Sequence, residues 1–388
     1  MTGLFDPARY AKVRLPLLEA GTLPPDCYTD PAFFARERER IFRTHWNLAC
    51  RARDLPGPGD YCTVDLAGMP AIVLRGSDGV LRAFANTCRH RGSRLVSGSG
   101  SAKAISCPYH GWSYALDGKL IAAAGMERAE NFDPAGFGLV PLRLAEWAGF
   151  VFLNFAEDGA GLDDHLGNLP EYLRSHRAED MVCVHRRVYD VACNWKLCLE
   201  NQRESYHVAV VHRGTLADQL PEQLAASGHW SGSWFGHRGS IAARLGAAET
   251  LPPIPALAGR AAEGSYFIGL YPASFLVFTV DCMWWMSFRP LAADRTQVST
   301  GLCFPETVTR RADFAAIVGD YIARTDTSHP EDNRATEMQQ QGLASPHARP
   351  GRFSHREAGV HAVDNWVLDR VLDTAQRDDR ITDSMLPA

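Results

Sequence analysis

The sequence lacks an excess of basic residues. Its 388 residues include 40 Lys and Arg against 45 Asp and Glu, which gives a formal net charge of −5. A chain without concentrated positive charge offers no electrostatic footprint for a phosphate backbone, so nucleic acid is not an expected partner. Internal repeats, Gly-rich phosphate loops and nucleophile-elbow motifs are missing as well. The sequence therefore predicts neither a repeat protein, nor a phosphate-binding loop, nor a hydrolase with a nucleophile elbow.

Long apolar runs and dense cysteines are also absent. The longest uncharged stretch, between Glu263 and Asp281, is interrupted by Gly269 and Pro272. It is shorter than the roughly 20 residues that a membrane-spanning helix needs. The first residues, MTGLFDPARYAKVRLP, carry charges where a secretory signal has an apolar segment. Ten cysteines are too few for a disulfide scaffold. We therefore expect a cytoplasmic protein without a membrane span, in which clustered Cys and His bind metal.

The chain is long enough for two domains. Residues 31–46 have apolar residues at helical spacing after Pro31, and we expect this N-terminal segment, 1–46, to pack on the second domain. Residues 47–155 contain short apolar runs separated by Gly, Pro, Asp and Ser, which is typical of an all-β domain.

The remaining residues, 156–388, predict a second domain of sheet plus helices. The periodicity favours a long helix over 190–212 and further helices over 308–343 and 360–375. Four β-rich runs between 264 and 304 follow one another at the spacing of a meander. The predicted fold class is therefore α+β.

Two pairs of potential metal ligands lie in the all-β segment. Cys88 and His90 occur in TCRHRG, and Cys107 and His110 occur in CPYHGW, so each loop offers one thiolate and one imidazole. Structural zinc sites more often group their ligands as Cys-x2-Cys and His-x3-5-His. In a Rieske [2Fe-2S] cluster, one iron binds two Cys and the other binds two His. The spacing predicts such a cluster, and a zinc site or buried core residues are the alternatives.

A second candidate site lies in NWKLCLENQRESYHVAVVH. Glu200, Glu204 and His207 are spaced i, i+4 and i+7, which on a continuous helix places them on one face. His212 follows His207 by five residues, so joint ligation needs a π-type widening or a helix break. Two His and one carboxylate form the facial triad of non-heme Fe(II) oxygenases. His207 and His212 together predict a mononuclear iron site whose third ligand is a carboxylate distant in the sequence. The alternative is that they are two ordinary histidines of a helix.

Both sets of motifs resemble one family. C-R-H-R-G and C-P-Y-H-G-W are similar to the cluster loops of Rieske oxygenases, and E-N-x-x-E-x-Y-H-x4-H after N-W-K resembles the mononuclear-iron helix of their α subunits. The resemblance covers nearly the whole chain. It implies an all-β Rieske domain, a catalytic domain with an antiparallel sheet wrapped by helices, and a homo-oligomer, usually a head-to-tail trimer.

The resemblance also implies roles for two carboxylates. In the family the third iron ligand is an acidic residue near the C-terminal part of the chain. Glu331 and Asp332 occupy a similar place, and we assign Asp332, with Glu331 as the alternative. Acidic residues at a helix N-terminus after Pro330 would give the same pattern. The family residue that matches Glu204 links the two metal centres, reaching the cluster histidine of a neighbouring protomer, here His110. The family more commonly has Asp at that position, which leaves the geometry of the bridge open.

The activity that the resemblance implies is that of a terminal oxygenase. A separate flavin and iron-sulfur reductase passes electrons from NAD(P)H to the Rieske cluster, and the mononuclear iron activates O2 for mono- or dioxygenation. The sequence has no nucleotide-binding motif, so we expect the reductase to be a second polypeptide. A Rieske electron carrier without catalysis is the alternative from another class, and it would need no second metal site.

Two substrate classes remain open. The strand-like stretch 266–288 is rich in aromatic residues that could surround a quaternary ammonium, where each cation-π contact contributes about 0.5 to 2 kcal/mol. Core packing is the alternative for most of them. The candidate pocket residues are Asn201, Tyr271, Trp284 and Trp285. The strings Q-x-G-L-A-S and P-G-R-F-x3-E at 340–357 resemble the branch that oxidises betaines and carnitine, and an aromatic carboxylate is the alternative substrate.

Overall fold

The computed structural model describes residues 3–372. Its strands are β1 (Asn47–Arg51), β2 (Asp60–Leu66), β3 (Met69–Arg75), β4 (Leu81–Ala85), β5 (Ser99–Ser101), β6 (Ile105–Ser106), β7 (Ser113–Tyr114), β8 (Leu120–Ala122), β9 (Pro141–Trp147), β10 (Phe150–Asn154), β11 (Met181–Val191), β12 (Glu222–Gln223), β13 (Trp230–Gly236), β14 (Gly264–Leu270), β15 (Ser274–Phe278), β16 (Met283–Ala292) and β17 (Arg295–Pro305).

Its helices are α1 (Asp26–Thr29), α2 (Pro31–Glu37), α3 (Leu162–Leu166), α4 (Leu169–Leu173), α5 (Trp195–Gln202), α6 (Val208–Val211), α7 (Glu306–Thr309), α8 (Phe314–Leu343) and α9 (Ala358–Val371). This mixture of segregated strands and helices confirms the α+β class. The helix predicted over 31–46 is shorter than expected, because a π turn at Arg38–Phe42 follows α2 and β1 begins at Asn47. Within residues 3–372, no helix combines the length and apolarity needed to cross a bilayer.

Strands β1–β10 form the all-β region. Seven of them pair in the order β1-β10-β9-β4-β3-β2-β5, and β6-β7-β8 make a small separate sheet. Val64 and Leu66 are buried at the end of β2, and all five residues of β10 are buried, as expected of strands that cover a core. The connection from β4 to β5 and the hairpin from β6 to β7 hold the two predicted cluster loops.

A second antiparallel sheet has the order β11-β17-β16-β15-β14-β13-β12. The four runs predicted between 264 and 304 are β14 to β17, which pair as a meander. Both faces of this sheet are covered. Phe275 and Trp284 pack on one side with α5, α8 and α9, whereas their neighbours Leu276 and Trp285 pack on the other side with α3 and α4. Burial on both faces explains why these strands read as continuous apolar runs.

The long helix predicted over 190–212 is wrong. The chain forms α5 up to Gln202 and then bends, and only one further turn, α6, is helical. The Glu204 carboxylate accepts hydrogen bonds from the backbone N–H groups of Tyr206 and His207. A side chain that binds its own backbone in this way competes with the helical hydrogen bonds. Consequently Glu200, Glu204 and His207 do not share one helical face.

Helix α8 runs for 30 residues and includes Pro330 in its interior. Asp332 therefore lies in mid-helix, and the alternative of an acidic cap after Pro330 does not apply. Pro330 has no N–H to donate to the carbonyl one turn earlier, but its position is exposed. Helix α9 corresponds to the helix predicted over 360–375, of which residues 373–375 lie outside the described residues.

The N-terminal segment packs against α5 through buried polar groups. Lys196 Nζ donates to Glu37 Oε1 at 2.6 Å, and Trp195 Nε1 donates to Glu37 Oε2 at 3.0 Å. Tyr28 donates its hydroxyl to Glu200 at 3.0 Å. These hydrogen bonds attach α5, where the predicted iron-binding segment begins, to the N-terminal segment.

Candidate functional site

Two tight loops present the first set of ligands. Cys88 N–H donates to the Ser93 carbonyl, and Cys107 N–H donates to the Trp112 carbonyl, so each loop closes on itself. Gly92 and Gly111 have φ of +76° and +73°, a left-handed conformation that a side chain would strain. These two closures give the loops the same shape.

The loops bring like ligands together. The thiols of Cys88 and Cys107 are both buried, whereas the rings of His90 and His110 lie side by side near the surface with centroids 4.8 Å apart. Trp112 is buried beneath and stacks on His90 at 4.9 Å.

Burial alone would raise the pKa of the Cys107 thiol, but hydrogen bonds from backbone amides of the loop lower it below its usual value. Lowering the pKa favours the thiolate that binds iron. Among the described residues, the four ligands do not form a group whose donor atoms all lie within 4.8 Å of one another, as one zinc ion would require. A thiol pair beside an imidazole pair fits the two irons of a Rieske cluster.

The second set of ligands meets beside α8. His207 and His212 flank α6, and the helix break before them turns both rings toward Asp332. His212 Nε2 lies 2.9 Å and His207 Nε2 lies 3.4 Å from Asp332 Oδ1. These three side chains are a group whose ligand atoms all lie within 4.8 Å of one another. Two imidazoles and one carboxylate match the donor set of a non-heme Fe(II) site.

The Nδ1 atoms of His207 and His212 each contact a second carboxylate. Glu204 Oε1 lies 2.5 Å from His207 Nδ1, and Glu331 Oε2 lies 2.7 Å from His212 Nδ1. Thr215 in turn donates to Glu331 at 3.0 Å. Carboxylates in this position fix the ring orientation and leave Nε2 free for a metal. The geometry therefore favours Asp332 over Glu331 as the ligand, with Glu331 as the support.

The electrostatics of the site reflect this crowding of imidazoles and carboxylates. Burial would lower the pKa of His207, but its bonds to Asp332 and Glu204 raise it to about 10. Burial would raise the pKa of Asp332, yet both histidines hold it well below its usual range. A bound cation would replace the imidazolium protons as the partner of Asp332.

A cavity of about 330 Å³ adjoins the three ligands. Of the predicted pocket residues, Asn201 and Trp284 line it. Trp285 does not, because consecutive residues of a strand face opposite sides, and its ring packs beneath Arg186 in the other core. Tyr271 is also outside the cavity, since its hydroxyl donates to Ser231 and its ring packs on Trp366. For Tyr271 and Trp285 the alternative of core packing therefore applies.

Further residues line the cavity, of which Phe267 and Phe275 lie in the aromatic stretch 266–288 that the sequence singled out. Phe235, Phe267 and Phe275 supply the aromatic wall together with Trp284, and their rings contact one another at 4.7 to 6.2 Å. Gln202 donates to Asp332 Oδ2 at 3.1 Å. Arg324 lies over the ring of Trp284 at 4.9 Å. In the sequence, Arg324 resembles any charged residue of an amphipathic helix, so only the structure reveals it.

Two family models match the chain. The Rieske [2Fe-2S] domain matches residues 45–133, and the catalytic domain of the ring hydroxylating alpha subunit matches residues 178–373. These matches contain the four loop ligands and the three-residue group, respectively.

Individual relatives agree with these matches. The carnitine monooxygenase oxygenase subunit of Acinetobacter pittii is 39% identical over 198 residues, which is 50% of this chain and about half, 53%, of that protein. The glycine betaine monooxygenase oxygenase subunit of Chromohalobacter salexigens is 32% identical over 391 residues, covering 90% of this chain and 86% of the relative. The crystal structure of the quaternary ammonium Rieske monooxygenase CntA in complex with its substrate L-carnitine has a TM-score of 0.76 at 27% identity, covering 90% of this chain and 96% of that chain.

Proposed function

Because the chain belongs to the family of ring-hydroxylating oxygenase α subunits that carry a Rieske domain, we propose that it is the terminal oxygenase of a multi-protein system. In this proposal it receives electrons from a separate NAD(P)H-dependent reductase and oxidises a small quaternary ammonium compound. The convergence of His207, His212 and Asp332 beside a cavity carries the proposal, since an electron carrier needs neither feature.

The proposed ligands divide between two groups. Cys88, Cys107, His90 and His110 would hold the [2Fe-2S] cluster, and His207, His212 and Asp332 would hold one Fe(II). When bound, the cluster supplies single electrons and the Fe(II) supplies the reaction with O2. The protein orients both imidazoles of the iron site through Glu204 and Glu331, and the aromatic wall of the cavity excludes water from the substrate side.

Glu204 is the proposed link between the centres. Within residues 3–372 it bonds to His207 and to the backbone beside it, and no hydrogen bond joins it to His110 of the same chain. We propose that the matching His110 comes from a neighbouring protomer in a head-to-tail trimer, because such a ring repeats one contact three times and closes. The reductase, the trimer and a cytoplasmic location are all parts of the proposal.

The proposed substrate class is supported by the relatives and by the cavity. CntA and the glycine betaine monooxygenase subunit act on quaternary ammonium compounds. Phe235, Phe267 and Phe275 bring aromatic rings to the wall that a cation can contact, beside Trp284, whose ring lies under Arg324.

The test is turnover with a panel of betaines and aromatic acids, driven by a surrogate reductase and NADH. We expect O2 uptake coupled to product with at least one trimethylammonium compound, and none with the His212→Ala variant. Coupled turnover of an aromatic acid, with none for any quaternary ammonium compound, would contradict the proposed substrate class.

A further inference from the structure

We propose that Arg324 is a carboxylate-binding residue of the cavity, so that the substrate carries an anionic group at the end away from the reacting carbon. This inference rests on the proposed function and deepens it by naming a second recognition element. Arg324 is neither a proposed metal ligand nor one of the carboxylates that support those ligands.

Arg324 is buried and has no hydrogen-bonding partner among the described residues. It is 8% exposed, it lines the cavity, and within residues 3–372 it donates no hydrogen bond. Its guanidinium lies over the ring of Trp284, 4.9 Å from the centroid. Other buried arginines differ, since Arg51 and Arg203, each 2% exposed, both donate to backbone carbonyls. Arg324 therefore has five N–H donors available beside an open space.

The charges around Arg324 do not neutralise it directly. The buried carboxylates of Asp332 and Asp281 both raise the pKa of Arg324, but within residues 3–372 neither forms an ion pair with it within 4.0 Å. Asp332 instead contacts His207 and His212, and Asp281 accepts hydrogen bonds from Thr279 and Tyr321. Burial lowers the pKa of Arg324 to about 10, which leaves the guanidinium charged at neutral pH. A buried charge without a partner is unfavourable, and a carboxylate pairs with a guanidinium through two parallel hydrogen bonds.

The position of Arg324 along α8 suits a substrate with two ends. Arg324, Ser328 and Asp332 are spaced i, i+4 and i+8, so they share one face of the helix, and all three line the cavity. Eight residues of helix separate the first from the last by about 12 Å. A molecule bound by its carboxylate at Arg324 would extend along the aromatic wall toward Asp332. A ligand with only a positive charge would be repelled by Arg324.

The test compares one ligand with and without its charge. γ-Butyrobetaine and its methyl ester would be titrated anaerobically into the iron-loaded protein by calorimetry, together with choline and benzoate. The wild-type protein is expected to bind the acid at least tenfold more tightly than the ester. Arg324→Gln should remove this preference by weakening acid binding at least tenfold while changing ester binding less than twofold, and Arg324→Lys should retain part of it.

Arg244→Gln is the matched control. Arg244 also lines the cavity, but it pairs with Asp320 and its side chain is 59% exposed, so this variant should keep the acid-over-ester preference. The Rieske absorbance and thermal unfolding of each variant report whether it folds. An unchanged preference in Arg324→Gln, or an equal loss of acid and ester binding in a folded variant, overturns the proposal.

The same titrations separate this inference from the proposed function. Arg324-dependent binding of benzoate, without binding of any trimethylammonium compound, would support the anion site and contradict the proposed substrate class. Wild-type binding of choline in preference to both carboxylates would overturn the anion site while leaving the quaternary ammonium proposal intact. A wild-type protein that binds no carboxylate overturns the anion site.

Discussion

Separate replacement of Asp332 and Glu331 tests how the iron site is built. The Asp332 oxygen faces Nε2 of both histidines at 2.9 and 3.4 Å, whereas Glu331 contacts Nδ1 of His212 at 2.7 Å. Asp332→Ala removes one of three donors, so the protein should lose its mononuclear iron. Glu331→Gln keeps an acceptor near His212 but loses the charge. Loss of such a support weakens metal binding by about 10- to 100-fold, or roughly 1.4 to 2.7 kcal/mol.

Iron affinity would be measured by anaerobic titration of Fe(II) into protein stripped of its mononuclear metal, with the Rieske absorbance as an internal reference. Asp326→Asn is the control, because Asp326 lies on the same helix and pairs with His185 and Arg187, outside the site. All three variants should retain the Rieske cluster. Full iron binding in Asp332→Ala, combined with its loss in Glu331→Gln, would refute the assignment of Asp332.

Three further predictions follow from other residues. Glu204→Gln keeps the size of the side chain and loses its charge. Single-turnover oxidation of the pre-reduced cluster should therefore slow at least tenfold, a barrier increase of about 1.4 kcal/mol or more, while both metals are retained. An unchanged rate would show that electrons take another route. His110→Ala should abolish the EPR signal of the reduced Rieske cluster and spare the mononuclear iron, since the two sites use different ligands; retention of that signal would exclude His110 as a ligand. Burial lowers the pKa of His176 to about 4, compared with about 6.5 in the unfolded chain. The folded state therefore binds fewer protons than the unfolded state between these pH values. The free energy of unfolding should fall by up to about 3 kcal/mol as the pH drops from 6.5 to 4. Urea unfolding of His176→Phe should lose that part of the pH dependence, and an equal dependence in both proteins would rule out this histidine as the cause.

Local motifs could be interpreted from the sequence, because their ligands are close in the chain. Cys88 and His90 share one loop, and Cys107 and His110 share another, so the spacing alone indicates a mixed-ligand centre. The carboxylate of the iron site is different. Asp332 lies 120 residues from His212, and only the resemblance to a family indicated it before the structure showed the contact.

Two predictions failed because of local geometry, and one residue could be found only from its tertiary surroundings. The spacing of His207 and His212 indicated a helix break, but not its position before His207, where the Glu204 side chain binds the backbone that follows it. The choice of Trp284 together with Trp285 neglected the alternation of side chains along a strand. Arg324 could not be identified from the sequence, since its significance depends on burial and on the absence of a partner within the described residues.

The central claim is that His207, His212 and Asp332 would hold one Fe(II), which would supply O2 chemistry for substrate oxidation with electrons from the Rieske cluster. A single turnover of chemically reduced protein with 18O2 and γ-butyrobetaine, without any reductase, tests this claim directly. We predict that the cluster is reoxidised and that 18O-labelled product, or the aldehyde released from it, forms in proportion to the mononuclear iron content. The His212→Ala variant should give no product. Reoxidation of the wild-type cluster without labelled product from any substrate of the panel would contradict the claim.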